Sequence, residues 1–127
     1  MTRTSGLAIA ALAITLTAAS LAEAARSPTR SERAAIVKTV NDATWAIAIP
    51  RDDIAVTKIR VSTVRLPDRL YARVIVYDKR KAHPDTALGV VRRLRGHWRL
   101  LTVGTSSVGC RTVPARVRAD LKLTDCP

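Results

Sequence analysis

The chain is predicted to fold as an α+β domain: an N-terminal helix packed on a four-stranded antiparallel meander, then a short C-terminal helix closed by a disulfide. Three observations lead there. A capping signature at residues 29–32 opens an apolar stripe of helical period. Alternating apolar and polar residues fill the stretch from about 54 to 104. Both cysteines, Cys110 and Cys126, fall in the last eighteen of 127 residues.

Ahead of that domain, Arg3 gives a short basic start, and no charge follows from Thr4 to Ala22. The centre of the stretch is apolar (Leu7, Ile9, Leu12, Ile14, Leu16). Ala22-Glu23-Ala24 fits the small-x-small rule of signal peptidase, as does Ser20-Leu21-Ala22. Cleavage is expected between Ala22 and Ala25, which makes 1–25 a removable export signal and 26–127 a single exported domain. An uncleaved anchor needs about 20 strongly apolar residues. This stretch is rich in Ala, Thr and Ser, so no stable membrane span is expected after the signal is removed. Cysteine is absent directly after the apolar run, which excludes a lipid-anchored precursor.

In the domain itself, Thr29-Arg30-Ser31-Glu32 reads as a capping box, with Pro28 just before it. Ile36, Val37, Val40 and Ala43 or Thr44 recur at helical spacing, opposite Arg33, Lys38, Asn41 and Asp42. The spacing predicts a helix from about 30 to 43. Ile47 also fits the stripe, so the pattern leaves open whether the helix runs on through Trp45–Ile49; Pro50 must end it.

Ile59 and Val61 alternate with Lys58, Arg60 and Ser62 in a first strand, and Pro67-Asp68 supplies a turn. Leu70, Ala72, Val74 and Val76 share one face of the second strand; Tyr71, Arg73, Ile75 and Tyr77 share the other. Charged residues from Asp78 to Asp85, with Pro84, make a loop. Leu88–Leu94 is the third strand, and Arg95-Gly96 turns it into a fourth at His97–Val103, of undetermined turn type. Gly104–Gly109 is a polar loop leading to Cys110. Val113, Val117 and Leu121 sit four apart behind Pro114, which predicts a short helix from about 114 to 121. An even cysteine count in an exported chain argues for a Cys110–Cys126 disulfide.

Charge is the other large fact. Lys and Arg total 22 against 10 acidic residues, a formal net charge of +12. Loss of the signal removes Arg3 and Glu23 together and leaves that balance intact. Such an excess favours anionic partners, which for an exported protein means anionic lipid headgroups, wall polymers or acidic proteins. With only two Trp, two Tyr and no Phe, a base-stacking surface is unsupported, and no nucleic acid is expected. Lys58 and Arg60 fall on the outward face of the first strand, Arg73 on the second, and Arg92 or Arg93 with Arg99 on the hairpin. If the strands are neighbours, these six residues are candidates for one anion-binding patch; a register slip would scatter them over both faces.

Two resemblances attach to these residues. A helix before a curled meander ending Gly96-His97-Trp98-Arg99-Leu100-Leu101-Thr102-Val103-Gly104 resembles cystatin-like and nuclear-transport-factor-like domains. The tail Gly109-Cys110-x-x-Val113-Pro114-x-x-Val117-x-x-Asp120-Leu121-x-x-x-x-Cys126-Pro127 is similar to that of small exported bacterial proteins of uncharacterised function, over roughly 54–127. Neither resemblance implies an activity. The Gln-Val-Gly hairpin of protease-inhibiting cystatins does not occur in this chain.

Candidate chemistry is sparse. His83-Pro84-Asp85 copies the tripeptide of J-domain co-chaperones, but strands flank it and a Pro84 turn is the plainer account. Thr105-Ser106-Ser107 offers hydroxyls, with His83 or His97 as conceivable bases, yet no Gly-x-Ser-x-Gly elbow accompanies them. Asp52-Asp53 reads as turn chemistry between helix and strand. Trp45 and Trp98 read as core or core-edge residues. No catalytic residue, cofactor or metal site is expected. The reading is a non-enzymatic exported domain that binds an anionic envelope component through a basic surface. The alternatives are a small-ligand or enzymatic cavity of cystatin-like type between helix and sheet, and a docking or inhibitory module for another exported protein.

Overall fold

The computed structural model describes residues 25–123 and 126–127; the proposed export signal, apart from Ala25, lies outside the described residues. The element order is α1 (Arg30–Asp42), β1 (Ile54–Val61), β2 (Arg69–Asp78), β3 (Ala87–Leu94), β4 (His97–Gly104) and α2 (Ala115–Asp120), with a 3-10 turn at Arg51–Asp53 before β1. The strands form one sheet in the order β1-β2-β3-β4, every neighbour antiparallel. This is the predicted α+β meander.

Helix α1 starts where the capping box places it. The amide of Glu32 donates to Thr29 Oγ1 at 3.2 Å, and the Thr29 amide donates to Glu32 Oε1 at 2.8 Å. The helix stops at Asp42, short of the Trp45–Ile49 segment. That stop moves Trp45 off the apolar stripe: expected at the core or its edge, it is 71% exposed, whereas Ile47 is buried. Ile36 and Val40 of α1 are fully buried against Val61, Ala72, Val74 and Val91 of the sheet, and Trp98 packs at the margin of this cluster. The fit is tight enough that a Cβ on Gly89 of β3 would lie 2.8 Å from Val74 Cγ2, so only glycine suits that position.

The opposite sheet face is covered as well. Tyr71 and Val90 are buried there against Val108, Val113, Val117, Leu121 and Leu123 of the C-terminal segment. The sheet is therefore a middle layer between α1 and the disulfide-closed tail. Cys110 and Cys126 are bonded, 16 residues apart in sequence.

Asp120 ties the tail to the end of β1. Its Oδ2 accepts from Ser62 Oγ and from the Thr63 amide, each at 2.7 Å. A carboxylate on the last residue of a helix is disfavoured by the helix dipole, so its retention here is explained by this tether. Asp120→Ala leaves the buried Ser62 hydroxyl and the Thr63 amide short of an acceptor. The expected cost is about 1–3 kcal/mol, read as a lower urea midpoint with unchanged slope; an unchanged midpoint would show that the tether is not used.

Candidate functional site

The sheet's alternation sorts the six arginine and lysine candidates by face. Arg60, Arg73, Arg92 and Arg99 flank buried residues of the α1-side core (Ile59, Ala72, Val91, Leu100) and so point to the other face, beneath or beside the C-terminal segment. Arg93 lies on the α1 side. Lys58 sits at a β-bulge between Thr57 and Arg60, with φ +50°.

Several of these side chains hold the fold's termini in place. Arg60 donates to the Ala25 carbonyl and to Ser27 Oγ, and Arg73 Nη1 donates to the Leu121 carbonyl at 3.1 Å. The Nε atoms of Arg73 and Arg92 are buried without a hydrogen-bond partner among the described residues. Lys58 and Arg99 are exposed.

A different set of arginines converges at one end of the sheet, where the β1–β2 loop meets the β3–β4 hairpin. There a cleft of about 740 Å³ is lined by Arg26, Arg65, Arg69, Arg93 and Arg95, together with Ser62, Thr63, Leu66 and Asp68. Register explains the meeting. Leu70 opposes Arg93 and Arg69 opposes Leu94, so the start of β2 and the hairpin tip are juxtaposed. Arg26 joins them because its backbone pairs with Val61 at the edge of β1.

Two of the five arginines are already engaged. Arg26 binds Glu32 through two hydrogen bonds of 2.7 and 2.9 Å, and Arg93 Nη1 lies 3.9 Å from Glu32 Oε2. Arg93 also lies over the Trp98 ring, 5.6 Å from its centroid, a cation–π distance. Arg65, Arg69 and Arg95 are exposed and have no carboxylate partner among the described residues. Asp68 is the one acid among the described residues of the lining.

The hairpin turn is costly for its sequence. Arg95 (φ +50°) and Gly96 (φ +80°) both have positive φ, which defines a type I′ turn and resolves the type the sequence left open. Glycine adopts this freely, whereas a residue with a Cβ gives up roughly 1–2 kcal/mol in the left-handed region. An arginine held there projects its guanidinium beyond the sheet, toward the cleft. Asp68 at φ +61° follows Pro67 and bends the other wall.

Glu32 is the electrostatic hub behind the cleft. It is 8% exposed. The Arg26 guanidinium, aided by hydrogen bonds from Thr29, holds its carboxyl down to about 2. A depressed folded pKa contributes stability that is complete above the unfolded carboxyl value and disappears as pH falls toward the folded value. Stability should therefore decline between about pH 5 and pH 2. The expected loss is about 2 kcal/mol, because Arg26 is partly solvated and screening reduces the full effect. Glu32→Gln should flatten that part of the pH profile, measured by thermal unfolding from pH 6 to pH 2.5; an unaltered profile would remove Glu32 from this role.

The remaining sequence candidates stay apart from the cleft. His83 and Asp85 lie in the exposed β2–β3 loop, and Thr105-Ser106-Ser107 in the exposed loop after β4. Asp53 is paired with Arg80 at 3.3 Å. A second cleft of about 520 Å³ adjoins the disulfide, lined by Thr102, Cys110, Arg111, Thr112, Arg118 and Cys126 among others. Arg118 is committed there to the Cys110 carbonyl at 2.6 Å. No helix among the described residues is long and apolar enough to cross a membrane. Neither a family model, nor a curated protein, nor a solved structure matches this chain.

Proposed function

We propose that this is a non-enzymatic exported domain that attaches to an anionic component of the cell envelope through the arginine cleft at the sheet's end. One observation carries the reading: Arg65, Arg69 and Arg95 line a single concavity whose one acid is Asp68 and form no ion pair among the described residues, in a chain of net charge +12. Uncompensated guanidinium groups side by side repel one another, and an anion relieves that repulsion while gaining charge-assisted hydrogen bonds. The direct packing of Ile36 and Val40 onto the sheet favours a surface site over a cavity beneath the helix. The test is co-sedimentation with isolated envelopes and anionic vesicles. Bound protein is expected to fall as salt rises, since screening shortens the reach of exposed charge.

Export belongs to the same proposal, supported by the disulfide and by the Ala22-Glu23-Ala24 signature. Burial of Ala25 favours a mature chain that keeps this residue, one position ahead of the 26–127 boundary expected from the sequence. Ala25 is buried, its carbonyl accepts from Arg60, and the Arg26 backbone pairs with Val61. Intact-mass analysis of the secreted form should give an N-terminus at Glu23 or Ala25. A chain beginning at Arg26 would contradict the use of Ala25 by the folded domain.

A further inference from the structure

We infer that the arginine cleft recognises a phosphate ester carrying more than one negative charge, in preference to a carboxylate of equal charge. The inference rests on the proposed anion-binding role of the cleft and assigns it a ligand class.

Charge count is the first argument. Five arginines face Asp68 on the lining, and Glu32 behind it is saturated by Arg26. A lone carboxylate supplies a single charge, which leaves most of this excess uncompensated. A phosphate monoester supplies close to two charges and three acceptor oxygens.

Geometry is the second. Arg65 comes from the β1–β2 loop and Arg69 from the start of β2, while Arg93 and Arg95 come from the neighbouring β3–β4 hairpin. Donors contributed by separate elements are best met by a ligand with acceptors on more than one side. A tetrahedral phosphate presents them, whereas a planar carboxylate offers one edge to a guanidinium fork. Placing Arg95 in a left-handed turn conformation fits the same requirement, because strain of that kind is kept where a side chain must be aimed.

Size and lining are the third. A volume of about 740 Å³ lies within the range of small-molecule sites and exceeds what one phosphate fills. The ester's alcohol therefore has room, beside Leu66, Leu70 and the Val64 side chain. None of the described lining residues is aromatic, so the ligand is selected by its phosphate rather than by stacking of a ring or base.

The experiment measures binding to the mature, disulfide-bonded protein by calorimetry at constant ionic strength, using pyrophosphate, glycerol 1-phosphate, citrate and succinate. Pyrophosphate is expected to bind about tenfold or more tightly than citrate, with glycerol 1-phosphate above succinate; the Arg65→Gln/Arg69→Gln/Arg95→Gln variant should lose at least about tenfold toward pyrophosphate. Vesicles containing phosphatidic acid, whose headgroup is a phosphate monoester, are then added as competitor. Displacement of pyrophosphate identifies the ester as a lipid headgroup, and undiminished pyrophosphate binding identifies it as a free phosphate ester. Citrate equal to pyrophosphate, or a triple variant with unchanged affinity, overturns the inference. Salt-sensitive envelope binding in that event shows that only the phosphate assignment has failed. Loss of both shows that the anion-binding reading has failed with it.

Discussion

Replacing Arg65, Arg69 and Arg95 together by glutamine is expected to weaken binding to anionic vesicles by roughly 100-fold, because each arginine near such a surface contributes about 1 kcal/mol. The fold should be indifferent to the change. All three side chains are exposed and lack carboxylate partners among the described residues, so no native ion pair is lost. Thermal stability should stay the same or rise slightly, as mutual repulsion is relieved. A charge-matched control separates the site from the overall charge. Arg33, Arg111 and Arg116 are likewise exposed but lie on α1, beside the disulfide and on α2. Changing these three to glutamine removes the same formal charge and should reduce binding by less than about tenfold, through weaker long-range attraction alone. Equal losses in the two triple variants would mean that net charge, and no particular cleft, governs attachment.

The second large effect concerns the disulfide. Cys110→Ala/Cys126→Ala, or reduction of the native protein, is expected to cost about 3 kcal/mol through the unfolded chain's regained freedom. For a domain of this size that corresponds to a fall in Tm of roughly 10–20 °C. The damage should be local before it is global. Val113, Val117, Leu121 and Leu123 cover Tyr71 and Val90 from one side only, whereas α1 packs on the other. Loosening the tail exposes that second apolar face while leaving the α1-side core in place. Limited trypsin digestion of the reduced protein should therefore cut first after Arg116 or Arg118, with the helix signal of α1 preserved. Protection of the tail after reduction would show that the Asp120 tether and the Arg73–Leu121 hydrogen bond suffice without the disulfide.

Much of the scaffold was readable because its signals are local. Thr29 and Glu32 sit at capping-box spacing, and Ile36 and Val40 continue a single helical stripe. The alternation of Tyr71, Ala72, Arg73 and Val74 separates the two faces of β2 without reference to any other strand. The spacing of Val113, Val117 and Leu121 likewise announced a helix near its observed place at Ala115–Asp120. Position within the layers was harder to read. Nothing in the period of these residues says which sheet face they cover, and the bulge at Lys58 has no sequence signature of its own.

The cleft illustrates the limit most clearly. Alternation singles out arginines in the middle of strands, which is why Arg60, Arg73, Arg92 and Arg99 stood out. The fold sets Arg60 and Arg73 against main-chain carbonyls of the two terminal segments. Arg65, Arg69 and Arg95 lie in or beside turns, where no periodicity marks a facing direction. Their meeting depends on the Leu70–Arg93 register, a contact across a whole hairpin and loop. Arg93 was the one sequence candidate that the register delivers to the cleft lining. A usable signal did exist in Arg95-Gly96: asparagine, aspartate or glycine would suit the first turn position better, so an arginine there marks a side chain kept despite its conformational cost.

The central claim, that an arginine cleft attaches this domain to anionic envelope material, is tested most directly by co-sedimentation of the mature protein with isolated envelopes and phosphatidylglycerol vesicles across a salt series. Binding that is strong at low salt and fades through and above physiological ionic strength is the predicted result. Absence of binding at every salt concentration, or binding insensitive to salt, would contradict it.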